Sequence, residues 1–120
     1  MRRPSDALPV IYLCAKPVDF RKGINGLSIL VDDILSLDPF SGHLFVFSNR
    51  LSNKIKMLYW EKNGFCMWQK SLEKDLFSWP VHLSKGALIE LNGRQLNWLL
   101  DGVDLRHVNE HKSVNYSAIY

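Results

Sequence analysis

Three β-forming runs follow one another between His43 and Leu72, and they constrain the fold more than anything else in the chain. Leu44-Phe45-Val46-Phe47 is apolar at consecutive positions, as in a strand covered on both faces. Asn49 to Asn53 is polar enough to turn. Lys54 to Glu61 and Phe65 to Leu72 are two further strand-like runs that carry aromatic residues. Lys62-Asn63-Gly64 lies between them, and its Asn-Gly pair favours a tight hairpin. The connections are too short for parallel crossovers, so the pattern predicts a three-stranded antiparallel meander.

The flanking segments predict two elements on the N-terminal side and three on the C-terminal side. Val10 to Cys14 reads as a buried strand stopped by Lys16-Pro17. Asp19 offers an N-cap, and Phe20, Ile24, Leu27, Val31 and Ile34 form one apolar stripe, which predicts a helix from Phe20 to Leu35. Gly23 and Gly26 weaken its first half. Asp38-Pro39-Phe40-Ser41-Gly42 breaks the chain before the meander. Phe77-Ser78-Trp79-Pro80 reads as a short edge piece, and Ala87 to Leu91 as another strand. Asn92 can cap a helix through Leu96, Leu99 and Leu100, with Gly102 as its stop. The predicted class is α+β: a single domain over residues 1–106, followed by a loosely ordered tail over 107–120.

A chain of 120 residues with 47% hydrophobic and 22% charged residues can bury one core and is not disordered throughout. The apolar run from Ala7 to Ala15 is interrupted by Pro9 and is too short for a leader or a spanning helix, which predicts a cytoplasmic protein without membrane association. Cys14 and Cys66 lie far apart in apolar runs and read as reduced, buried thiols.

Charge is distributed unevenly. Residues 50–74 carry Arg50, Lys54, Lys56, Lys62, Lys70 and Lys74 against Glu61 and Glu73, a net +4, whereas the whole chain carries +3. A local excess of this kind suits phosphate binding, and it also suits an ordinary solvated hairpin. Lys54 and Lys56 share one strand face, and Trp68 and Lys70 share a face of the next strand. Tyr59, Trp60 and Trp68 can stack against bases or pack into the core. Arg21 and Lys22 stand at the predicted helix start, where cations oppose the helix dipole unless they serve another purpose.

Candidate catalytic patterns are weak. His107-Val108-Asn109-Glu110-His111 spells an inverted zinc-protease motif, but it lies in the tail with no third ligand in view. Asp32, Asp33 and Glu61 could supply carboxylates for a two-metal nuclease, yet Asp32 and Asp33 fall on the polar side of their helix. There is no Gly-x-Ser-x-Gly nucleophile motif. No catalytic residue, metal or cofactor is expected.

Six segments in order carry a resemblance to a known family. They are Val18-Asp19-Phe20-Arg21-Lys22-Gly23, Leu37-Asp38-Pro39-Phe40-Ser41-Gly42, Leu44 to Asn49, Lys54 to Glu61, Asn63 to Glu73, and Phe77-Ser78-Trp79-Pro80. Together they resemble the second reading frame protein of the insertion-sequence-66 family, a TnpB-type transposase accessory protein. The sequence departs from that pattern at Ser48, Leu51 and Ser71, where the family carries Arg or Lys, and at Asp75, near a position that is often Gly. The resemblance implies a non-catalytic protein of a bacterial transposon that acts beside the element's transposase and its other accessory protein. With the basic hairpins, it leads to the expectation of binding to duplex DNA, at transposon ends or target, through Arg21, Lys22, Arg50, Lys54, Lys56, Lys62 and Lys70. The alternative is an adaptor that docks on the transposase without touching DNA.

Overall fold

The computed structural model of the chain describes residues 10–108. Five strands and two helices succeed one another as β1 (Ile11–Cys14), α1 (Ile24–Asp33), β2 (Leu44–Ser48), β3 (Lys54–Glu61), β4 (Gly64–Ser71), β5 (Leu88–Leu91) and α2 (Gly93–Leu100). Short 3-10 turns cover Val81–Leu83 and Leu105–His107. The strands form one mixed sheet in the order β4-β3-β2-β1-β5.

The α+β class and the antiparallel meander are as the sequence predicts: β2 pairs with β3, and β3 with β4, both antiparallel. The hairpin lies one residue earlier than the Asn-Gly signal suggests. Glu61 pairs with Gly64, so Lys62 and Asn63 form the tip, and Lys62 takes the left-handed conformation (φ 54°).

What the sequence does not announce is the parallel pairing of β1 with β2, Ile11 opposite Leu44 and Leu13 opposite Val46. The intervening α1 is the crossover such a pair requires. β5 then closes the other edge of β1, antiparallel.

Strand alternation puts a core on each face. Phe45, Phe47 and Leu58 meet Leu27, Val31 and Leu35 on the α1 face. Ile11, Leu13, Val46, Ile55, Met57 and Ile89 meet Leu96, Leu99 and Leu100 on the α2 face. Leu44, Phe45, Val46 and Phe47 are fully buried, which explains why the β2 run is apolar without a break.

Helix α1 corrects the sequence reading at both ends. It starts at Ile24, with Gly23 as an N-cap that makes no side-chain hydrogen bond, rather than at Phe20 under Asp19. The Asp19 carboxylate instead accepts from the Arg21 backbone N–H (2.9 Å) and guanidinium, and the Lys22 N–H returns to the Asp19 carbonyl (3.1 Å). At the far end Ser36 adopts φ 55° and ends the helical path, so Leu35 is buried and Ile34 is left half exposed.

Helix α2 forms as read. Asn92 accepts from the Gln95 N–H (2.8 Å), Gln95 accepts from the Asn92 N–H (3.0 Å), and Gly102 provides the left-handed exit (φ 85°). Phe77-Ser78-Trp79-Pro80 is not a strand. It crosses the α2 face with Phe77 buried, and the Trp79 indole donates to the Cys14 carbonyl (3.0 Å). The predicted tail from Asn109 onward lies outside the described residues.

Candidate nucleic-acid interface

Parallel β1 and β2 both finish at the same end of the sheet, and two loops leave from there. The loop after β1 spans Ala15 to Gly23, and the turn after β2 spans Asn49 to Asn53. They are stitched together: the Val18 N–H donates to the Ser48 carbonyl (2.9 Å). Pro17, Val18, Asp19 and Phe20 line one side of a groove of about 380 Å³, and Asn49, Arg50 and Leu51 line the other.

Lys56 fixes the first loop to the sheet. Its side chain is only 7% exposed and crosses the α1 face to donate to the carbonyls of Phe20 (2.9 Å) and Lys22 (3.0 Å), with the ammonium 4.8 Å from the Phe20 ring centre. These two carbonyls would have been acceptors in the first turn of a helix beginning at Phe20. Lys22 in turn lies against the start of α1, where a Cβ added at Gly26 would stand 3.1 Å from the Lys22 Cβ. A larger residue than Gly26 would press on Lys22.

The turn after β2 is braced from several directions. Asn49 Oδ1 accepts from the N–H groups of Asn53 (3.1 Å) and Lys54 (3.0 Å), and its Nδ2 donates to Asn53 Oδ1. The Leu72 N–H reaches the Asn53 carbonyl (2.8 Å), and the Phe77 N–H the Ser52 carbonyl (2.7 Å).

Lys16, Arg21, Lys22, Arg50 and Lys54 therefore stand at one end of the molecule, all exposed, with Asp19 as the one carboxylate in these two loops and Lys54. That is a net +4. The bracing segment 72–77 adds Glu73, Lys74 and Asp75, which brings the end to +3, the formal excess of the entire chain. Arg21 and Asp19 form a two-point pair (2.7 Å at the shorter contact) that is largely open to solvent. The Arg21 guanidinium beside it holds the Asp19 carboxyl down at about 2.

The remaining expected contacts are dispersed. Lys70 lies on the opposite, α2 face and donates to the Leu100 carbonyl (2.8 Å), a C-terminal helix carbonyl that favours a cation. Lys62 is at the β3–β4 tip, the length of β3 away, about 24 Å at strand rise. The structure thus brings together Arg21, Lys22, Arg50 and Lys54, turns Lys56 inward beneath them, and carries Lys62 and Lys70 elsewhere. It adds Lys16, which only the parallel β1–β2 pair carries to this end. Ser48, Leu51 and Ser71, the positions where the chain departs from the insertion-sequence pattern, lie here too, with Ser71 opposite Lys54.

The aromatic residues divide between the core and the surface, where Phe40 is exposed. Tyr59 and Trp68 lie against the α2-side core, and Trp60 meets Phe40 and Phe65 at centroid distances of 5.0 Å. Burial, then the neighbouring Cys66, pushes the Tyr59 hydroxyl up. Asp32, Asp33 and Glu61 do not converge: among the described residues no three His, Cys, Asp or Glu side chains are placed to share a metal ion. Of the His-x-x-Glu-His segment, only His107 and Val108 are within the described residues.

A family model described as IS66 Orf2 like protein matches residues 9–110, which includes both loops, the whole sheet and α2. The chain belongs to the IS66 Orf2-like protein family. It is 33% identical to the uncharacterized protein y4hO of Sinorhizobium fredii over 107 residues, covering 89% of this chain and 91% of that one. It is 35% identical to the uncharacterized protein y4jC of the same organism over 98 residues, 82% of each chain. No solved structure matches it significantly. IS66 Orf2-like proteins are transposition-associated accessory proteins and not a family of known enzymes. Among the described residues no helix is long and apolar enough to cross a membrane.

Proposed function

We propose that this IS66 Orf2-like protein supports transposition without catalysing it, by holding duplex DNA at the basic end of its sheet. The observation that carries the reading is the convergence of Lys16, Arg21, Lys22, Arg50 and Lys54 from two loops, far apart in sequence and braced to each other, and from the start of β3. Exposed cations on a stiff mount meet phosphates with little ordering cost, and each one engaged displaces counterions. Lys56 serves the site indirectly, by seating the Asp19–Lys22 loop, whereas Lys70 closes the end of α2. The partners are transposon-end or target DNA and, within the same complex, the element's transposase and its other accessory protein.

The test is fluorescence anisotropy on a labelled duplex across a salt series. Four to five phosphates neutralised give a slope of log affinity against log salt of about −4. Arg50→Gln with Lys54→Gln should reduce the slope by nearly two, and Lys62→Gln should leave it unchanged. No binding at low salt, or equal losses from Lys62→Gln, would contradict the reading. In that event the adaptor role, a direct complex with the transposase that survives nuclease treatment, becomes the better one.

A further inference from the structure

The basic end contains an apolar residue that phosphate contact does not explain. Asn49 to Ser52 form a four-residue turn closed by the Ser52 N–H to the Asn49 carbonyl (3.2 Å), with Arg50 and Leu51 at its two corners. Leu51 is 68% exposed, more than any other large apolar side chain among the described residues. It is not on a loose loop: the Asn49 side chain, the Leu72 N–H and the Phe77 N–H all tie the turn down. Arg50 precedes it, and Lys54 follows on the adjoining strand.

We propose that Leu51 is a wedge that enters a base step of duplex DNA from the minor groove while the neighbouring cations hold the phosphates on either side; this rests on the DNA-binding reading above. A wedge needs a projecting apolar side chain, a mount that does not yield, and cations placed to repay the unstacking of the step. All three are present at this turn. The minor groove is the route by which such side chains enter, and its close-set phosphates favour flanking Arg and Lys. A duplex fits better than a single strand. Single strands are held by exposed aromatic platforms, whereas here Tyr59 and Trp68 pack into the core and Trp60 stands next to the far hairpin tip.

The experiment uses a duplex carrying a donor and acceptor at its ends and 2-aminopurine within it, with anisotropy on the same samples. The wild type should bind, bring the ends closer and raise 2-aminopurine emission. Leu51→Ser should lose both the bend and the emission while keeping the wild-type salt slope, and Leu51→Met should retain the bend. Leu51 is exposed, so neither variant threatens the fold. Wild-type binding with a normal salt slope but no bend or unstacking would overturn the wedge and leave phosphate binding standing. An unchanged bend in Leu51→Ser would also overturn it. Absence of binding by the wild type would remove both proposals.

Discussion

Replacing Lys56 with Met separates the two roles a lysine on β3 could have. Methionine keeps the length and the apolar stem but removes an ammonium that donates to the Phe20 and Lys22 carbonyls at 2.9 and 3.0 Å. Hydrogen bonds to a charged group contribute about 1.5–3 kcal/mol each. Relief of the desolvation of a nearly buried cation offsets part of the loss. Both carbonyls also regain water, because Phe20 is half-buried and Lys22 exposed. The balance is a destabilisation of about 2 kcal/mol, which for a domain of roughly 100 residues lowers Tm by about 10 °C. Calorimetry or urea denaturation reads this directly. The DNA salt slope should stay within about half a unit of wild type, because the Lys56 charge points at the protein. An unchanged or higher Tm would refute the anchoring of the loop, and a slope reduced by about 0.9 would make Lys56 a phosphate contact after all.

Further outcomes follow from the same geometry. In an NMR pH titration, Asp19 should protonate near 2, and Arg21→Gln should raise it part of the way towards the ordinary carboxylate range, because the backbone N–H of residue 21 still donates to it. Because the folded value is the depressed one, any stabilisation from this pair is complete above the ordinary range and is lost as pH falls towards 2. Asp19→Asn keeps an acceptor for the Arg21 N–H yet frees the guanidinium, so DNA affinity should rise and the salt slope steepen by about one; no change would mean that Arg21 does not face phosphate. Asn92→Ala removes the α2 cap and should cost about 1 kcal/mol in chemical denaturation. Trp79→Phe removes the donor to the Cys14 carbonyl at a similar cost; a neutral result would show that this carbonyl is satisfied without it.

Local chemistry made much of this fold readable in advance. The meander is written in one unbroken apolar run, two aromatic-bearing runs and a turn pair, and α2 in Asn92, its Leu stripe and Gly102, because each of those signals is satisfied within a few residues. The start of α1 was not legible. Asp19 looks like a cap, but Arg21 claims its carboxylate, and Lys56, thirty-six residues away, holds the Phe20 carbonyl. The site was half legible for the same reason. A charge window along residues 50–74 finds Arg50 and Lys54 but mixes them with Lys62 and Lys70, which strand length and strand alternation carry elsewhere. It also omits Lys16, which joins the cluster only through the parallel pairing of β1 with β2. Long-range pairing leaves no local mark on either strand.

The most direct check of the basic end is to follow backbone amide shifts of the labelled protein as a short duplex is added. Perturbations confined to residues 16–22 and 49–54, with Lys62, Asn63 and α2 silent, are the expected result. Shifts centred on the Lys62-Asn63 tip, or on the α2 face around Lys70, would place the DNA elsewhere and contradict the proposed interface.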